Sequence, residues 1–303
     1  YWICTTDPQD QKTIDEFVQN EESVNWNTKA IKFKATNKSN RILGELCFVS
    51  KGMVLNADEN KAKGLFKKED LISTEISNIH IKKYLEAKDM DKYIVKKLRW
   101  LEWNTKRVPS LISRPTFPEL YEQPKILINK IGSIKATVDN DSLTCDQTVR
   151  ILVLWRNLIG ISNKSIENSV KRWYKYPRAT LEKYSQYYNN EFIVGILNSK
   201  LGTYLLDEIR GDGNIDINPE YLKNIPIPEI DFNESLSKGA HDRIVSLVNE
   251  MLESKKQLQT IKTDRDKTYY ENKCADLDHA IDSEVYKLYA LTLDEIKIVE
   301  GKQ

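Results

Sequence analysis

The stretch LNSKLGTYLLDEIRGDGNIDINPEYLKNIPIPEI, residues 197–230, decides how the chain is divided. Leu197, Leu201, Tyr204, Leu205 and Ile209 recur at helical spacing and predict a helix with one apolar face. Gly211 and Gly213 end it, because glycine enters the positive-φ region of a turn without steric cost. Ile215 and Ile217 alternate with Asp216, as in a half-buried strand. Pro219 suits the first position of a short helical turn. Pro226 and Pro228 bracket Ile227, so this end is extended and barred from the centre of a sheet. The stretch reads as the closing edge of a globular domain.

Beyond Pro228 the pattern changes. Between Ala240 and Glu300 there is neither Gly nor Pro. Ile244, Leu247, Val248, Met251, Leu258 and Ile261 form one helical stripe, and Tyr270, Cys274, Leu277, Ile281, Val285 and Leu288 form another. The polar KTDRD, residues 262–266, predicts a connection between two helices, with one long bent helix as the alternative.

Upstream, ILGELCFVSKGMVLN (42–56) predicts a short helix leading into a strand and a turn at Gly52. KKYLEAKDMDKYIV (82–95) reads as turn-rich and polar. Ile126, Leu127 and Ile128 carry a strong strand signal, with IKATVD its hairpin partner across Gly132-Ser133. TVRILVLWRNL (148–158) fits a buried strand, and FIVGILNSKLGTYLL (192–206) a core-packed helix with small residues. The expected fold is α+β: a mixed, mostly antiparallel sheet with flanking helices, then a C-terminal two-helix arm. Residues 1–40 read as a lead-in, 41–232 as the globular domain and 233–303 as the arm.

The 303 residues carry a net charge of +1, unevenly spread. Lys82–Lys135 is strongly basic, Lys164–Tyr184 is basic, and the stretch from Asp231 onward is acidic. Basic stretches inside the globular part suit a polyanion-binding face, although solvated lysine loops give the same count. The four cysteines, Cys4, Cys47, Cys145 and Cys274, are far apart with no CxxC, which points to a reducing compartment and a cytoplasmic location. No apolar run approaches membrane-spanning length. The opening YWICTTDPQD lacks Met and is no signal peptide, so an excised or processed chain is expected.

Chemistry-bearing motifs are weak. Asn218-Pro-Glu-Tyr221 departs by one Glu from the Asn-Pro-Pro-Tyr that holds a flipped base in amino-group DNA methyltransferases. No Gly-rich loop follows a strand upstream to seat S-adenosylmethionine. Glu86-Ala-Lys88 and Glu295-Ile-Lys297 match the ExK of metal-dependent nucleases without an Asp on a preceding strand. His80, His241 and His279 lack metal-ligand spacing, and Gly211-Asp-Gly213 reads as a turn. KRWYKYPR, residues 171–178, interleaves Lys171, Arg172, Lys175 and Arg178 with aromatics; such side chains neutralise phosphates and stack on bases, or else snorkel from a core edge.

The run LVNEMLESKKQLQTIKTDRDKTYYENKCADLDHAIDSEVYKLYALTLDEIKIVEG (247–301) resembles the end of type IIG restriction–modification enzymes and adenine-specific DNA methyltransferases. SKGMVLNADENKAKG (50–64), KKYLEAKDMDKY (82–93), PELYEQPKILINKIG (118–132) and NIPIPEI (224–230) are similar to successive blocks of the TaqI-like C-terminal specificity domain. The resemblance implies a target-recognition domain that binds double-stranded DNA and catalyses nothing itself. It implies an upstream methyltransferase domain using S-adenosylmethionine, and Mg²⁺ where a nuclease is fused. The alternative is a protein-interaction module docking such an enzyme through its helical arm. The family varies its base-reading residues, so contacts are nominated from local charge and expected loops: Arg99, Lys106, Arg107, Arg114, Lys130, Lys171, Arg172, Lys175, Arg178 and Arg210, with Tyr174 the aromatic candidate.

Overall fold

Helices at the C-terminal end and short strands before them make an α+β fold, seen here in a computed structural model. It describes residues 40–301 apart from 114–116, 174 and 212 and the side chain of Trp173. The lead-in over 1–39, with Cys4, and the nominated Arg114 and Tyr174 lie outside the described residues. The described residues all belong to one compact unit, Ala35–Gln303.

In chain order the strands are β1 (Asn40–Ile42), β2 (Cys47–Lys51), β3 (Val54–Ala57), β4 (Ile72–Ser73), β5 (His80–Leu85), β6 (Met90–Asp91), β7 (Ile94–Val95), β8 (Arg99–Glu102), β9 (Ile112–Ser113), β10 (Lys125–Asn129), β11 (Ala136–Asp139), β12 (Thr144–Cys145), β13 (Val149–Leu154) and β14 (Pro226–Pro228). The helices are α1 (Leu43–Leu46), α2 (Glu119–Glu122), α3 (Lys164–Trp173), α4 (Arg178–Tyr184), α5 (Asn190–Asn198), α6 (Lys200–Arg210), α7 (Pro219–Lys223), α8 (Ser235–Thr260), α9 (Asp264–Leu288) and α10 (Leu293–Val299).

The expected single sheet is divided. One four-stranded sheet, order β11-β10-β13-β2, is antiparallel throughout. A second, order β12-β5-β8-β4, is antiparallel except for the parallel β12–β5 pair. Three two-stranded ribbons accompany them among the described residues. The first sheet is covered on both faces, so its central strand, Val149–Leu154, is a continuous apolar run broken only by Arg150. Ile151 and Val153 face a core shared with Phe48, Tyr84, Leu101 and Trp155; Leu152 and Leu154 lie outside that cluster. The second sheet contains a strand where sequence polarity predicts turns: Tyr84 and Leu85 are fully buried, and the flanking lysines obscure them.

Gly52 permits the close approach of β2 to the turn before β13. A Cβ there would lie 2.0 Å from the Asp146 carbonyl oxygen and 2.4 Å from that of Cys145. The buried Lys125–Asp139 pair closes the β10–β11 hairpin; Lys125 also donates to the Tyr121 carbonyl at 2.6 Å, and Asp139 accepts from the Leu143 amide at 3.0 Å.

The helix expected over 192–206 is two helices. Ser199 leaves helical geometry at φ −65°, ψ 161° and caps α6, its hydroxyl accepting from the Gly202 amide at 3.0 Å. Asn198 then turns its amide on β11, accepting from Ala136 N at 2.8 Å and donating to Ala136 O at 2.9 Å, as a neighbouring strand would. The C-terminal stripes form an antiparallel helical hairpin, α8 on α9, broken over residues 261–263. It packs on α5 across Gly195, which lets Ile244 and Val248 approach the α5 backbone. The Pro-flanked segment forms β14 in a two-stranded ribbon with β1, and Arg41 pairs with Glu229 across it. Among the described residues no helix is long and apolar enough to cross a membrane.

Candidate nucleic-acid interface

Four nominated arginines have some of their donors engaged within the fold. Arg99 bonds Glu86 and Asp89, the latter at 2.8 Å. Arg107 holds Glu102 through Nε at 3.0 Å and through Nη2. Arg178 bonds Glu182 at 2.8 Å and the carbonyls of Ile161 (2.7 Å) and Leu158, stapling α4 to the segment before α3. Arg210 donates to Gly132 O at 2.9 Å and Ile215 O at 3.3 Å and pairs with Asp207 at 2.6 Å. A guanidinium has five donors; each spent on a carbonyl or carboxylate is one fewer for a phosphate. These side chains clamp loops. Lys106 and Lys171 are exposed and Lys130 half-buried. Arg172 and Lys175 are also exposed, on and just after α3.

The structure brings one of these, Lys130, together with two lysines that local charge did not single out. Lys88, Lys130 and Lys135 line an open groove of about 460 Å³ with Glu86, Ala87, Asn129, Ile131 and Thr148. Its walls are the turn after β5 and the loop between β10 and β11. Buried Asn129 shapes that loop, donating to Ile131 O at 2.6 Å and Ser133 O at 2.9 Å and accepting from Lys135 N at 2.7 Å. Gly132 turns at φ 89°. The loop is fastened to residues 215–217: Ile217 N donates to Lys130 O at 2.6 Å, Gly132 N to Ile215 O at 2.9 Å, and Ile131 bridges Asp216. Arg150, almost fully buried, fixes the second segment through Ile217 O at 2.6 Å and Asp216 at 3.2 Å. The expected strand at Ile215–Ile217 is thus only this single bridge, with Ile217 buried and Ile215 exposed.

The carboxylates beside the groove are neutralised. Glu86 contacts Lys68, Lys88 (2.8 Å) and Arg99. Burial alone would raise its carboxyl, but the Lys68 and Lys88 ammoniums outweigh this and hold it at about 2. Asp146 accepts from Lys68 and from the buried Tyr84 hydroxyl, each at 2.8 Å. Burial raises the Asp91 carboxyl, but Lys96, the Lys92 amide and Lys135 hold it at about 2. Among the described residues the groove is lined by three lysines and one carboxylate, Glu86, so its rim keeps a positive surplus.

The other sheet carries basic-aromatic contacts on both of its faces. Ser73, Trp100 and Lys83 are cross-strand neighbours, and Lys82 sits 5.7 Å from the Trp103 ring centroid. The enzyme-like motifs find simpler places. Asn218 precedes α7 with Pro219 at its first turn, and Tyr221 accepts from Asn214 at 3.1 Å. Glu86 of the ExK triplet meets Asp146 only through the Lys68 ammonium. Among the described residues no group of three or more His, Cys, Asp or Glu is placed to hold a metal ion. His241 is packed in an aromatic box, its ring 4.6 Å from Phe192 and 5.1 Å from Phe232.

No family model matches the chain, and no curated protein matches it significantly. Among solved structures it is similar to the type IIL restriction–modification enzyme MmeI in complex with DNA, at 12% identity and a TM-score of 0.47. That match covers 87% of this chain and 36% of the other.

Proposed function

We propose that this chain is a sequence-specific double-stranded DNA recognition module of a restriction–modification enzyme. The observation that carries the reading is the groove of Lys88, Lys130 and Lys135 beside a loop fastened by Asn129, Arg150 and Arg210. Lysines on the rim neutralise backbone phosphates, and a rigid loop presents a constant face to base edges. The sequence resemblance supports the same reading. These residues bind and position DNA; in the parent protein an upstream methyltransferase domain methylates adenine with S-adenosylmethionine, and a fused nuclease would use Mg²⁺. The location is cytoplasmic, and duplex DNA and the methyltransferase domain are the partners.

Titrating the chain with duplex DNA across a salt series tests this. Three phosphate contacts give a log–log slope of about −3. Lys130→Ala lowers that slope by about 1 and weakens all sequences alike. A flat slope or absent binding overturns the reading in favour of a protein-docking module, whose surface would include Leu236 (82% exposed) and Tyr269 (62% exposed) on the helical hairpin.

A further inference from the structure

Ile131 and Ile215 are 55% and 60% exposed, on two segments bonded to each other beside the lysine groove. Single exposed aliphatic residues are ordinary. These two differ in how firmly they are held out. Asn129 fixes the carbonyls on either side of Gly132, and Arg210 fixes those of Gly132 and Ile215. Arg150 anchors the far end through Ile217 and Asp216. A Cβ added at Gly132 would meet nothing within 4 Å, so the space before the turn is open. The backbone that carries the two side chains therefore has little freedom to lose on binding, the condition under which a small contact contributes most.

Charge complementarity names the occupant. Lys130 and Lys135 lie on the Ile131 loop, and the nearby carboxylates Glu86, Asp91, Asp207 and Asp216 are each bound by a cation. The surface is an apolar tip with a cationic rim on its Ile131 side, which suits a polyanion carrying recessed apolar groups. On duplex DNA the major-groove edge offers one such group, the thymine methyl. Resting on the DNA reading above, we propose that Ile131 and Ile215 are specificity-determining residues that contact a thymine methyl in the major groove while the lysines hold phosphates. Arg210 is then a positioning residue, acting through the loop it clamps.

The test is selection from a randomised duplex pool with the chain as it stands, followed by exchange of thymine for uracil in the selected site. Uracil keeps the pairing and removes only the methyl. In the wild type one exchange should weaken binding several-fold; in Ile131→Ala with Ile215→Ala the selected duplex should bind about tenfold more weakly and the exchange should cost nothing further, with salt slope and thermal unfolding unchanged. An equal cost of the exchange in both proteins overturns the inference. Binding with a steep salt slope but no selected motif overturns it and leaves the phosphate contacts standing. No binding to any duplex removes the DNA reading itself, and retention of a partner protein that depends on Ile131 and Ile215 would then reassign the tip.

Discussion

Gly195→Ala tests the seam between the helical hairpin and α5. An ideal Cβ at 195 would lie 2.7 Å from Ile244 Cγ2, 3.0 Å from Val248 Cγ2 and 3.9 Å from Ile281 Cγ2. Carbon atoms pack at about 3.5–4.0 Å, so the helices must separate by roughly 0.8 Å or the methyl groups must move. Ile244, Val248 and Ile281 are fully buried and have no open space to turn into. Overpacking of this kind costs about 1–3 kcal/mol, while replacing glycine inside a helix returns roughly 0.5–1 kcal/mol. These ranges net to a loss of about 0–2.5 kcal/mol, and full burial of all three contacts puts the expectation at about 1–2 kcal/mol, or roughly 2–8 °C in unfolding midpoint. Urea and thermal unfolding of the two proteins measure it. Ile244→Leu supplies the control, because leucine has no Cγ2 and conserves volume. Combined with Gly195→Ala it should recover at least about half of the loss, a coupling read from the double-mutant cycle. An unchanged or raised midpoint in Gly195→Ala, or strict additivity with Ile244→Leu, would refute the close helix contact.

Stability should fall in two acid steps. The first involves His241: burial pushes its imidazole below the ordinary 6.5, outweighing Asp242, while Lys238 and Arg156 lower it further. The folded protein binds this proton less readily than the unfolded chain, so stability is complete above about pH 6.5 and declines below it; His241→Phe should flatten that limb of a stability–pH curve. The second involves Glu86 and Asp91, whose carboxyls are held at about 2 against ordinary values of 4.5 and 3.8. Their stabilisation is complete above those ordinary values and is lost as pH falls toward 2, and Glu86→Gln should shrink the loss measured by urea unfolding at pH 2.5. Lys125→Met leaves Asp139 buried without its cation and should cost about 3–5 kcal/mol, whereas Lys125→Met with Asp139→Leu should cost less; equal losses in a denaturation series would refute the pairing account.

Elements whose local pattern and burial agree were legible from sequence. The β10–β11 hairpin, the short helix before β2, the proline-bounded edge and the helical hairpin all follow from spacing, Gly and Pro. Strand β5 was not, because its lysines dominate the local composition while Tyr84 and Leu85 go to the core. Nor was the break at Ser199, where a hydroxyl cap interrupts an otherwise continuous apolar face. For the site, charge counts located basic segments but could not show which donors remain available. Arg210 is taken up by Gly132, 78 residues away, and Arg99 by Glu86, 13 away. Lys88 joins Lys130 and Lys135 only when the turn after β5 meets the β10–β11 loop.

The ribbon of β1 and β14 bears on how the chain is made. Arg41 and Glu229, paired across it, are 188 residues apart. At a synthesis rate of about 5–20 residues per second, β1 waits roughly 10–40 s before its partner strand exists. During that interval Asn40–Ile42 offers an unpaired backbone edge to any other extended segment. Slowing translation between β1 and β14 therefore lengthens the exposure of that edge, and a stall just before Pro226 leaves this ribbon open.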